Sequence, residues 1–120
     1  MESGAFRCDG WESGPVLVAQ TFAERLKGLR YRSDGQSMLI RGMSVHGFAM
    51  REPLLAVGLD RGQRVVGFRV LYPRRVIWIR RAAQILELPI DEEPPPDGAV
   101  LTWERGGPAD LVRNSYRQSG

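Results

Sequence analysis

This chain has few of the residues on which most site chemistry depends. Of its 120 residues one is a cysteine, Cys8. An internal disulfide and a Cys-based zinc site are therefore both excluded, and Cys8 is read as a free thiol in a reducing compartment. His46 is the only histidine, so a His-rich metal centre is excluded too. Long apolar runs are missing, so no membrane span is expected. The start, "MESGAFRCDGWESG", lacks a basic stretch followed by an apolar run, so no secretory signal is visible. No phosphate loop, dinucleotide glycine pattern, nucleophile elbow or paired-carboxylate signature occurs. The expectation is a soluble cytoplasmic protein with no metal, no cofactor and no catalytic residue legible in the sequence.

Lysine is also scarce: Lys27 is the only one, so arginine supplies the rest of the basic charge. Net charge is +3. Seven arginines and no acidic residue lie between Arg61 and Arg81. Arginine suits phosphate and carboxylate recognition, but compositional bias accounts for much of the preference. Hydrophobic residues make up 42% and charged residues 26%, a globular balance that 120 residues can turn into one core.

Several runs alternate with period two, as half-buried strands do. They are "PVLVAQ", "SMLIRG", "SVHGFAM", "LLAVGL", "RVVGFRVL", "AQILELP" and "AVLTWE". Thr21 and Glu24 fit a capping box, so a short helix is expected over 22–28, ended by Gly28. "DRGQ", residues 60–63, reads as a hairpin turn, with Asp60 bonding the backbone and Gly62 taking a positive φ. Val57, Leu59, Val66, Phe68 and Leu86 are expected to be buried together. The acidic, proline-rich run 91–97 cannot continue a ladder or a helix. The class expected is α+β, mainly antiparallel β: a curved sheet or partial barrel with one short N-terminal helix. Residues 1–13 are read as a flexible leader, 14–105 as one globular domain and 106–120 as a flexible tail.

Three of these segments, in order, resemble the domain-of-unknown-function 192 family: "VLVAQTFAERLKGLRYR", "SVHGFAMREPLLAVGLDRGQRVV" and "AAQILELP". The likeness runs from residue 16 to about 89. It implies a common fold and no agreed reaction. Three departures stand out: Gly47 replaces the family's Thr after His, Leu55 replaces an Asp, and "IDEEPPPDG" replaces a glycine-rich segment. If that Asp and Thr carry an activity, this chain has lost part of it.

The candidate ligand-binding residues are His46, Met50, Arg51 and Glu87. A histidine can serve as a base or a metal ligand, but His46 alternates with Phe48 and Met50, which favours a half-buried structural role. Arg51 and Glu87 are expected to pair across strands, since a carboxylate buried in a strand needs a partner. The function expected is a non-enzymatic module, monomeric, that binds a small ligand or a protein. One alternative is an enzyme using His46 with a carboxylate. Another is weak nucleic-acid binding through the Arg-rich strands 61–81. It would require those arginines to converge on one face, and it is not the favoured reading, because arginines around "VIWI" also protect a sheet edge. Nucleic acid and membrane are thus not the expected partners.

Overall fold

In the computed structural model, residues 2–21, 23–24, 37–48 and 50–106 are described. Among them are ten strands: β1 (Glu2–Cys8), β2 (Trp11–Glu12), β3 (Val16–Ala19), β4 (Ser37–Arg41), β5 (Ser44–His46), β6 (Leu54–Leu59), β7 (Val65–Leu71), β8 (Val76–Trp78), β9 (Gln84–Pro89) and β10 (Thr102–Arg105). Eight form one sheet in the order β10-β1-β3-β4-β9-β6-β7, with β2 hung on β1, while β5 and β8 make a separate two-stranded ribbon. The pairings are antiparallel except β3 with β4, which is parallel.

The α+β expectation is corrected. The described residues are nearly all sheet, curled into a half-barrel, with no helix among their elements. A capping signature marks only a chain turn and cannot by itself supply a helical layer. Half of that signature is present: Glu24 N donates to Thr21 Oγ1 at 3.1 Å, but the Glu24 carboxylate accepts from Gln20 N at 2.9 Å, one residue before the expected Thr21 N–H. Most of the expected helix at 22–28 lies outside the described residues, as do residues 107–120 of the expected tail.

The flexible-leader reading of 1–13 is corrected as well. β1 lies inside the sheet, paired to β10 on one side and to β3 on the other. Phe6 is fully buried and stacks on Trp103 with ring centroids 4.8 Å apart. The small residues that made "ESGAFRC" look like a leader are those that fit between two neighbouring strands.

The first core fills the inside of the curl: Phe6, Val16, Leu39, Leu55, Val57, Leu59, Val65, Leu86, Leu88 and Leu101. The Pro-rich segment closes its open side. After it, Arg64 bridges Val100, and Val65 N and Leu101 N donate to Ala99 O and Gln63 O. Trp11 Nε1 also donates to Glu93 O at 2.8 Å. A second core lies on the outer face of the same strands, with Val45, Ala56, Leu71, Ile79, Ala82 and Ile85. There Val45 and Ile77, cross-strand partners in the ribbon, pack down onto the sheet.

All six β6 residues are buried, as expected of a strand covered on both faces. Its first-core side is uniformly large (Leu55, Val57, Leu59). Its outer side shrinks from Leu54 through Ala56 to Gly58. A Cβ at Gly58 would run into Ile79, so the taper marks where the covering layer comes closest.

The expected inward set of β7 is corrected. Leu59 pairs with Val65 but Gly58 with Gly67, so Val66 is an extra residue in a bulge. A bulge breaks the two-residue period. Val65 goes into the first core, Val66 packs against the second, and Phe68 is left 52% exposed. In the β6–β7 turn Asp60 Oδ1 accepts the N–H of Gly62 and of Arg64, both at 2.9 Å. The positive φ falls on Gln63 rather than on Gly62.

Candidate functional site

The parallel strands β3 and β4 end side by side, with Ala19 opposite Ile40. The chain turns at Gly42 and Met43, and β5 then passes these strand ends. The result is a cavity of about 240 Å³ lined by Ala19, Gln20, Thr21, Ile40, Arg41, Ser44, Val45 and His46. Ala19 and Val45 are buried and Ile40 half-buried, so the floor is apolar. Gln20, Thr21, Arg41 and Ser44 are exposed and form a polar rim, with half-buried His46 beside them. Among these lining residues Arg41 carries the only permanent charge, and none is acidic.

The ring of His46 lies 4.9 Å from that of Phe48, tilted by 38°. Its Nδ1 accepts the Phe48 N–H at 3.4 Å, a long contact, and the residue makes a further interaction as well. The expected strand 44–50 is cut short at His46. Gly47 begins a bend in which its N–H donates to Arg75 O at 2.7 Å and its carbonyl accepts from Arg74 N and Met50 N.

The four residues singled out from sequence do not form one cluster. His46 lines the cavity. Met50 is half-buried against the second core. Glu87 is fully buried on β9, opposite Met38 of β4 and Ala56 of β6. It therefore sits one row along from the Ile40–Ile85 pair, on the face that carries the cavity floor. Glu87 is engaged by a polar or electrostatic contact. Arg51 is exposed on the 51–53 bend, and among the described residues the ion pairs are Arg7–Glu12 and Arg7–Glu104. The expected Arg51–Glu87 pair is not among them.

Gln20, Thr21, Arg41 and Ser44 were not anticipated as site residues. Thr21 had been read only as a cap. Arg41 ends the apolar run "SMLI", which marks the end of a strand. That two such ends meet beside β5 is tertiary information, and no local pattern encodes it.

A larger, open concavity of about 540 Å³ lies between the β6–β7 turn and residues 81–83, lined by Met43, Asp60, Arg61, Gly62, Arg81, Ala82 and Ala83. Among the described residues no helix is long and apolar enough to cross a membrane.

Fold and site together define a small β-rich single domain with a half-barrel core and a cavity at its strand ends. No family model and no curated protein matches the chain. Two solved structures are similar to it. A candidate transcription regulator from Sinorhizobium meliloti 1021 superposes with a TM-score of 0.61 at 18% identity, over 88% of this chain and 93% of that one. A protein of unknown function from Novosphingobium aromaticivorans DSM 12444 gives a TM-score of 0.54 at 19% identity, over 75% and 73%. At these identities the likeness is one of fold alone.

Proposed function

We propose that this protein is a non-enzymatic binding module that holds a small organic anion in the cavity rimmed by Arg41, Ser44 and His46. We propose also that it is a divergent member of the domain-of-unknown-function 192 family. The observation that carries the binding reading is the convergence of β3, β4 and β5 on one concave site with an apolar floor and a polar rim. Such a lining is typical of small-molecule sites. At about 240 Å³ the cavity falls below the roughly 300–1,000 Å³ that drug-sized ligands occupy, which points to a compact metabolite. Arg41 with no acidic neighbour in the lining favours a negative charge, and its guanidinium forks naturally onto a carboxylate or phosphate. Thr21 and Ser44 add hydroxyl donors, while Ala19, Ile40 and Val45 accommodate an apolar body.

One departure from the family pattern favours binding over turnover. Leu55, where the family resemblance leads one to expect Asp, packs into the first core on the opposite face of the sheet.

The test is a thermal-shift series with acetate, succinate and inorganic phosphate on the wild-type protein, Arg41→Gln and Gln20→Trp, the last to block the rim. A ligand at a hundred times its Kd stabilises the native state by about 2.7 kcal/mol, a shift of several degrees. The reading requires at least one anion to raise the wild-type Tm and both variants to lose that rise. A rise that survives in both would place the ligand elsewhere. Turnover abolished by His46→Gln, with binding intact, would make the site catalytic.

A further inference from the structure

We infer that the outer face of the β5–β8 ribbon is a docking surface for single-stranded nucleic acid. The ribbon pairs Ser44 with Trp78, Val45 with Ile77 and His46 with Val76. Val45 and Ile77 face the second core, so alternation turns Ser44, His46, Val76 and Trp78 the other way. On that side Trp78 is 59% exposed and Val76 43%, and Phe48, ring to ring with His46, is 52% exposed. Aromatic surface thus lies at both ends of the face: Trp78 at one, the His46–Phe48 pair at the other.

Charge brackets the same strip. Arg74 and Arg75 precede β8, Arg80 and Arg81 follow it, and all four are exposed. At the Trp78 end the neighbour of Ser44 is Met43, 47% exposed, which lines the open concavity with Arg61, Arg81 and one acid, Asp60. Asp60 Oδ1 is taken up by the backbone N–H groups of Gly62 and Arg64, so two arginines from separate turns flank a single carboxylate where the aromatic face ends. The larger cluster of acidic charge lies on the 91–97 loop, which Trp11 ties to the β1–β2 end of the sheet.

Edge protection accounts for the arginines, since charge on an exposed edge discourages pairing. It does not account for a tryptophan and a phenylalanine held outward on the same strip, and exposed apolar area rimmed by charge marks an interaction site. Charge complementarity makes the partner polyanionic. The flat aromatic face then favours bases over acidic side chains, because stacking needs only an exposed ring while phosphates take the arginines. Single strands fit better than duplex, whose bases are already stacked.

The test is fluorescence anisotropy with a labelled twelve-nucleotide oligo-dT, on the full chain, between 50 and 200 mM salt. The expected result is salt-sensitive binding with a Kd of roughly micromolar order at the low end. Trp78→Ala should weaken it about tenfold and Trp78→Phe should largely restore it. The double change Arg80→Gln and Arg81→Gln should lower the salt slope by about 1.4, or 0.7 per lost phosphate contact. Far-UV circular dichroism and Tm report whether the variants fold; if Trp78→Ala does not, the Phe variant must still bind. Ser44 and His46 border both the cavity and this face, but Trp78, Arg80 and Arg81 do not line the cavity, so their loss of effect leaves the small-ligand reading standing, and Arg41→Gln or Gln20→Trp tests that reading without touching Trp78. No oligonucleotide binding, binding unaffected by Trp78→Ala in a folded protein, or effective competition by polyglutamate at equal total charge would each overturn the inference. The last would replace nucleic acid with an acidic peptide.

Discussion

Replacing Gly47 by alanine tests the junction on which the cavity depends. This glycine follows His46 and is tied to the 72–75 turn by its own N–H to Arg75 O at 2.7 Å and by Arg74 N to its carbonyl at 3.1 Å. A Cβ built at this position would collide with the carbonyl oxygen of Tyr72 and stand 3.1 Å from Pro73 Cα. Both obstacles are backbone, held by the very bonds that Gly47 makes, so no flexible side chain can swing aside. Overpacking of this kind costs about 1–3 kcal/mol. If the turn yields, one or two hydrogen bonds weaken, at about 1 kcal/mol each. The expected destabilisation is thus roughly 2–4 kcal/mol. With a urea m-value of about 2 kcal/mol/M, the denaturation midpoint falls by roughly 1–2 M. Gly47→Thr, the residue that the family resemblance would supply here, should cost more, because a β-branched side chain adds two further atoms at the same place. Gly62→Ala is the control: its Cβ would meet only Asp60 Oδ1, at an ordinary 3.5 Å, so its midpoint should barely move. Equal midpoints for Gly47→Ala and Gly62→Ala would refute the contact and with it the placement of the turn against β5.

Three other outcomes follow from the packing. Leu86→Ala, at a fully buried first-core position, should cost about 2–5 kcal/mol, whereas Phe68→Ala, at a residue 52% exposed, should cost under about 1 kcal/mol; paired urea curves decide, and the opposite ranking would abolish the bulge at Val66. Phe6→Ala should cost about 3–5 kcal/mol and reduce near-UV dichroism through loss of its contact with Trp103, whereas an unchanged Tm would return β1 to a flexible leader. Arg7 contacts Glu12 at 3.3 Å and Glu104 at 3.2 Å with 43% of its side chain exposed; a double-mutant cycle of Arg7→Gln with Glu104→Gln should give a coupling under about 1 kcal/mol that fades at 0.5 M salt, and a larger, salt-insensitive coupling would mean a buried pair.

The strands most legible in the sequence are those whose two faces differ in kind or whose residues are all apolar. "VLVA", "SMLIR", "LLAVGL" and "QILELP" were each read as strands, and each is one. Failure came where a local rule had a non-local cause. β1 carries Gly4 and Ser3, which depress strand propensity, yet it is held between nearby β3 and β10, whose partners such as Arg105 for Gly4 come from the far end of the described chain. In β7 the alternation Val66, Phe68, Val70 is perfect on paper. One extra residue opposite Gly58 shifts the phase, and only pairing with β6 reveals it. The helix expected at 22–28 inherited its weight from Thr21 and Glu24, whose hydrogen bonds shape the chain's exit from β3 without adding a helical layer to the described fold.

The site was legible only at His46, for a physical reason that also bears on what the site does. A histidine stands out because its chemistry is rare, and here it is the only one; rarity draws the eye to a residue without saying what surrounds it. The residues around it come from three strand ends separated by up to 27 positions, Ala19 to His46. Each is ordinary in its own segment: an alanine closing a strand, a threonine at a cap, an arginine after an apolar run, a serine opening a ribbon. Glu87, whose acid in an apolar strand suggested function, is instead buried in the layer between β4 and β6. A buried carboxylate costs several kcal/mol to desolvate unless it is engaged, and its position beside the floor row of Ile40 and Ile85 suits a support for β4 rather than a ligand contact. The two cues that this sequence offers most readily, a lone histidine and an acid in an apolar strand, thus fall one at the rim and one beside the floor row. Arg41, the one permanent charge among the residues lining the cavity, is set apart from the other arginines by no sequence pattern.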